Sequence, residues 1–168
     1  MTTELTALVI IDVGPEVRAV GTRRIRAFGI DTLEFDSIDD YIQHAVTFNP
    51  RRDPAIFRRS LRNNLRTTPL GKLTWKWDPR PRIHPPDDAA VEARRARLWE
   101  DVARIGCPTL VVRGGESDVF SAADAAKLVD RLPDGRLAVV ERSGHTVQGD
   151  NPAGLMRELR SFFREIGF

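Results

Sequence analysis

The chain has 168 residues, 41% hydrophobic and 30% charged, enough to bury one modest globular core. Its formal net charge is only +2, and Lys72, Lys76 and Lys127 are the only lysines among 26 basic residues, an arginine bias that reads as genome composition, not as a nucleic-acid code. A single cysteine excludes an internal disulfide and a zinc-ligand cluster, the longest apolar run is far too short to span a bilayer, and without a signal-like start the expected compartment is the cytosol.

In chain order, Ser37 with Asp40 opens a predicted helix carrying Ile38, Tyr41, Ile42 and Ala45 on one face. His44 lies beside that face and reads as packing or surface, because nothing nearby completes a ligand or triad spacing. Asp53-Pro54 gives a second N-cap with proline at the first helical position, followed by Phe57, Leu61 and Leu65 at four-residue spacing. Arg51, Arg52, Arg58, Arg59, Arg62 and Arg66 surround this helix and are expected to form a solvated surface, or a contact to a portion outside these residues, rather than a phosphate-binding face. Leu73, Trp75 and Trp77 alternate with Thr74 and Lys76, which places both indoles on one side of an extended segment. From Asp78 to Asp88, prolines at 79, 81, 85 and 86 forbid regular helix and mark a linker around His84, which is given no role. Leu98, Trp99, Val102 and Ile105 form the stripe of a helix leading into Cys107.

Cys107-Pro-Thr-Leu-Val-Val-Arg-Gly114 reads as a buried strand ending in the turn Gly115-Glu-Ser-Asp118, with Cys107 a buried, inert thiol. Ser121 with Asp124 caps the next helix, and Arg136-Leu-Ala-Val-Val-Glu141 is a second buried strand followed by Ser143-Gly-His145. Strand, helix, strand is a parallel crossover, and parallel neighbours lie about 4.8 Å apart. Asp118 and His145 therefore leave the same edge of the sheet and can be hydrogen-bonded partners, the carboxylate fixing the ring tautomer while the other nitrogen takes a proton. The alternative is that Asp118 caps a turn and His145 fills a loop. Asn151-Pro152 starts a last helix whose Leu155, Leu159, Phe162, Phe163 and Ile166 are expected on the sheet, with Asp150 shaping the turn before it.

Pro108-Thr-Leu-Val-Val-Arg-Gly with Ser117-Asp118, and Ser143-Gly-His145-Thr-Val with Asn151-Pro152, resemble the acid and histidine segments of the α/β-hydrolase family. Leu8-Val-Ile-Ile-Asp12-Val-Gly-Pro15 is similar to the family's strand following the nucleophile-bearing strand and helix, and the stretch from there to about Ile105 resembles its inserted helical cap. The resemblance implies a partial α/β-hydrolase fold over residues 1–168: about three parallel strands with packed helices, core segments 5–14 and 106–168, and a cap over 15–105. It assigns His145 as general base and Asp118 as its orienting acid. Some family members carry the acid where Asp12 stands; Asp118 is preferred because its strand neighbours the one presenting His145. Family cap aromatics often line the substrate entrance, which nominates Trp75 and Trp77, with plain packing as the alternative. No metal or organic cofactor is implied.

The family's nucleophile stands in a tight G-x-S-x-G turn, and no such sequence occurs in the chain. The serines at 37, 60, 117, 121, 143 and 161 read as caps, turn residues or helix interior. The expectation is a hydrolase for a small uncharged substrate, an ester first, whose nucleophile and oxyanion hole come from outside these residues, so that the isolated chain is inactive. The segment Leu8–Ile11 would then present a bare sheet edge for self-association or for a separately encoded early half. The competing expectation is a non-enzymatic truncated product or interaction module binding through that edge, with neither nucleic acid nor membrane as partner.

Overall fold

Six strands and seven helices follow one another in the computed structural model, which describes residues 5–31, 33–77 and 87–168. The first half contains β1 (Leu8–Ile11), α1 (Ala19–Asp31), β2 (Glu34–Phe35), α2 (Ile38–Phe48), α3 (Pro54–Asn64), β3 (Leu65–Thr67) and β4 (Leu73–Trp75). The second contains α4 (Asp88–Val102), β5 (Thr109–Gly114), α5 (Ala122–Arg131), β6 (Gly135–Val140), the single turn α6 (Val147–Asp150) and α7 (Pro152–Glu165). Contacts divide the chain into two units, one from its two ends (Met1–Gly21 with Asp87–Phe168) and one from Thr22–Pro86.

The larger unit is built on a parallel sheet of order β1-β5-β6, in which Leu8 pairs with Thr109 and Thr109 with Gly135. Side chains alternate across β5, so Val111 faces one layer and Leu110 and Val112 the other. On the first side Val111 packs with Val102 of α4, Phe120, and Ala125 and Leu128 of α5. On the second, Leu110, Val112 and Val140 pack with Leu155 and Phe162 of α7. Burial of both faces explains why β5 is an apolar run without polar alternation, whereas β6, expected to be a buried strand, exposes Leu137 and Val139 on one face. Their helices start at the expected residues: Ser121 and Asp124 form a reciprocal capping box, and Asn151 accepts the Gly154 amide at 2.9 Å with Pro152 in the first turn.

Three local expectations change. α4 begins at Asp88, capped by Asp87, so the predicted linker contributes its last residues to a helix, and by contacts this helix belongs with the parallel sheet. The remainder of that linker, His84 included, lies outside the described residues. Phe163 is 37% exposed and meets Phe162 and Phe168 instead of the sheet, because the buried stripe runs Leu155, Leu159, Phe162 and Ile166 in steps of four, three and four, which leaves Phe163 on the next face of the helix. Cys107 is free and half-buried rather than buried.

The smaller unit combines α2 and α3 with an antiparallel sheet of order β2-β4-β3. Ser37 and Asp53 cap α2 and α3 as their sequences direct, and Tyr41, Ile42, Ala45, Phe57 and Leu61 form its core with Phe35 and Leu65. The predicted extended segment at Leu73 becomes β4, the centre of that sheet. It is joined to β3 by a tight turn in which Gly71 has φ +79°, a backbone region open to glycine at little cost.

Candidate active site

Asp12 stands immediately beyond β1 with φ +51°, a left-handed conformation that aspartate adopts more readily than most residues. It is fully buried, and both carboxylate oxygens have hydrogen-bond partners. Oδ1 accepts the Gly114 amide at 2.8 Å, while Oδ2 accepts the Ser117 hydroxyl at 2.5 Å and faces His145 Nδ1 at 3.0 Å. Among the described residues every fully buried side-chain nitrogen or oxygen has a hydrogen-bond partner, so this buried charge sits in a complete network, the condition under which one is tolerated.

The histidine arrives by a loop that crosses the end of β5. Beyond β6, Arg142 turns the chain at φ +52°, and the Ser143 hydroxyl donates back to the Val140 carbonyl at 2.7 Å. The Ser143 carbonyl accepts the Glu116 amide at 2.9 Å, and Asp150 Oδ2 accepts the Gly144 amide at 2.9 Å. The crossing point is Gly114, where a Cβ would lie 2.2 Å from the Gly144 carbonyl oxygen. Only a residue without a side chain lets that carbonyl pass over the strand, and this carries His145 past the neighbouring strand to the end of β1.

This crossing corrects the predicted partner of His145. The carboxylate hydrogen-bonded to Nδ1 is Asp12, not Asp118. Asp118 follows Ser117 in the turn after β5 and reaches the ring as a further negative charge. The hydrogen bond to Asp12 raises the His145 pKa above its ordinary 6.5; burial opposes this, and the charges of Asp12 and, last, Asp118 add to it. The imidazole side chain is 38% exposed. With Nδ1 engaged by a carboxylate, the ring presents Nε2 as its proton acceptor, the geometry of a general base.

Ser117 and Asp150 are the site residues that sequence reasoning passed over. Both were read as turn formers, and neither carries a pattern that distinguishes a residue bonded to the turn from one bonded through it. Arg113 also fixes the turn after β5, donating from Nε to the Phe120 carbonyl at 2.9 Å. The two nominated entrance residues lie in the smaller unit: Trp75 meets Phe35 and Tyr41 at ring distances of 6.3 and 5.2 Å, and Trp77 is 5.8 Å from Trp75. His44 stacks on Phe28 at 5.5 Å.

A cavity of about 510 Å³ opens beside β1 on the α4 and α5 side of the sheet. Ile10, Val13, Val17, Leu98, Val102 and Leu128 supply its apolar lining. Among the described residues no group of three or more His, Cys, Asp or Glu side chains is placed to hold a metal ion, and no helix is long and apolar enough to cross a membrane.

Residues 4–158 match the Alpha/beta hydrolase family, and the chain belongs to it. The esterase Rv0045c of Mycobacterium tuberculosis is 33% identical over 128 residues, covering 76% of this chain and 40% of the esterase. Its crystal structure superposes with a TM-score of 0.68 at 30% identity, over 94% of this chain and 52% of that one. An α/β hydrolase from Novosphingobium aromaticivorans superposes with a TM-score of 0.71 at 27% identity, over 95% and 57%. The chain therefore spans about half the length of the solved relatives it matches.

Proposed function

We propose that this chain contributes the base and its orienting acid to an esterase-type α/β-hydrolase acting on a small uncharged ester. His145 is the general base, Asp12 holds its tautomer, and Asp118 adds negative charge nearby. The nucleophile and oxyanion hole come from a segment outside these 168 residues. The carrying observation is the 3.0 Å contact between a fully buried carboxylate and Nδ1 of a partly exposed histidine. In the reaction, Nε2 takes the nucleophile's proton as the carbonyl is attacked, returns it to the departing alcohol, and then deprotonates the water that releases the acid. Trp75 and Trp77 enter this reading as apolar surface met by the substrate. The similarity to a protein named an esterase supports the choice of ester over the family's other substrates.

The sheet supports an external source for the nucleophile. Among the described residues β1 is paired only with β5, which leaves its other edge open. A strand added there in parallel and leading into β1 requires a right-handed crossover. The connections into β5 and β6 move along the sheet in the same direction and lay α4 and α5 on one face, so the added helix falls on that face too. The apolar cavity occupies that place. The open edge equally favours the second reading, an interaction module without turnover of its own.

The test is hydrolysis of an activated-ester panel by a polypeptide in which a nucleophile-bearing segment precedes these residues. His145→Ala is expected to cost about a thousandfold or more. Asp12→Asn is expected to cost roughly a hundred- to ten-thousandfold, and Asp118→Asn far less. Turnover indifferent to His145 would refute the reading, and a larger loss from Asp118→Asn than from Asp12→Asn would return the acid to Asp118.

A further inference from the structure

Ser117 is 6% exposed, and its hydrogen-bonding capacity is fully assigned. Its oxygen accepts the amides of Val119 and Phe120, both at 3.2 Å, and its one proton goes to Asp12 Oδ2 at 2.5 Å. A serine hydroxyl has one donor and two acceptor sites, so the two amides fix the direction in which the proton points. That proton reaches the same carboxylate oxygen that faces His145 Nδ1, while the other oxygen is occupied by the Gly114 amide.

We propose that Ser117 is a positioning residue that acts through Asp12: by sharing Oδ2, its hydroxyl limits how strongly the carboxylate holds a proton on His145 and so keeps the base in its neutral form. This rests on the reading of Asp12 and His145 as acid and base. Two donors on one oxygen divide its electron density, and the positive end of the hydroxyl dipole lies on the side of Asp12 that an imidazolium needs most. Without Ser117 the carboxylate would stabilise the protonated ring more strongly, and fewer molecules would carry a usable base near neutrality. The charged groups on the segments that converge on the ring are Asp12 just beyond β1, Arg113 at the end of β5, Glu116 and Asp118 in the turn after it, and Glu141, Arg142 and Asp150 in the histidine's own loop; Ser117 bonds Asp12 among them.

The experiment follows exchange of the His145 ring C2 hydrogen by mass spectrometry of the full chain across pH, which reports that histidine separately from His44 and His84 and requires no turnover. Ser117→Ala is expected to raise the His145 proton-binding constant by about threefold or more, and Ser117→Thr, which keeps the hydroxyl, is expected to restore the wild-type value. Asp12→Asn should lower the constant, and adding Ser117→Ala to it should change nothing further, because the serine has lost the group it acts through. Should Ser117→Ala fail to fold, Ser117→Cys retains a side chain of similar size with a weaker donor and is expected to shift the constant in the same direction. A constant unchanged or lowered by the serine substitution, while Asp12→Asn still lowers it, overturns the role of Ser117 alone. A constant indifferent to Asp12→Asn overturns the acid–base pair itself.

Discussion

At the scale of single residues, the site depends on a buried carboxylate in an uncommon backbone conformation. Asp12 ties three segments together through Gly114, Ser117 and His145, so its removal affects more than the histidine. The raised pKa of His145 carries a prediction for stability. The folded protein binds this proton more tightly than the unfolded chain does, so the stabilisation is fully present below the ordinary value and is lost as pH rises through the raised one. The melting temperature of wild type relative to His145→Ala is therefore expected to be higher at acid than at alkaline pH. A difference that is flat, or that grows toward alkaline pH, would contradict the hydrogen bond to Asp12. His145 was legible from its place beyond a buried strand, and Asp12 was visible as a second choice. Strand adjacency favoured Asp118, because it assumes that a loop stays above its own neighbour; the crossing over Gly114 removes that assumption, and a glycine in a turn does not announce what will lie across it.

Elements whose ends are marked chemically were the readable ones. Ser37, Asp53, Ser121 and Asn151 each begin a helix where a side-chain acceptor and an apolar period coincide. α1 escaped notice for the converse reason: Ala19–Asp31 contains two glycines and several arginines, with no acidic residue in its first turn and no clear apolar stripe. The short strands β2 and β3 span two or three residues each, too few for alternation to register, whereas β4 was legible from Leu73 and Trp75 alternating with Thr74 and Lys76. At this scale the decisive junction is between the end of β5 and the histidine loop. Gly114→Ala would place a methyl group against the Gly144 carbonyl, whose preceding peptide unit is fixed by hydrogen bonds to Glu116 and Asp150. It is expected to cost about 1–3 kcal/mol or more of stability and to separate His145 from Asp12. Chemical denaturation measures the first effect and the pH dependence of His145 exchange the second; a variant with wild-type values of both would remove the crossing from the account.

Over the whole molecule, three parallel strands with helices packed on each face form a core of their own, yet among the described residues one edge of the sheet is unpaired beside an apolar cavity. An open apolar edge is a template for further pairing. The chain studied alone is expected to self-associate, and sedimentation velocity across a concentration series should reveal species larger than one chain; a single monomeric species with a cooperative melt would argue that the edge is protected. The parallel sheet and family resemblance were legible because buried strands and capped helices alternate in order. The partition into two units was less so, since it depends on where α4 packs, and its stripe is as apolar toward a cap as toward a sheet. The central claim is that these residues hold a proton relay and no attacking atom. Turnover of an activated-ester panel by the isolated chain, compared with His145→Ala, tests it most directly: equal rates at the background level are predicted, and wild-type hydrolysis abolished by the substitution would place the nucleophile within these residues and contradict the account.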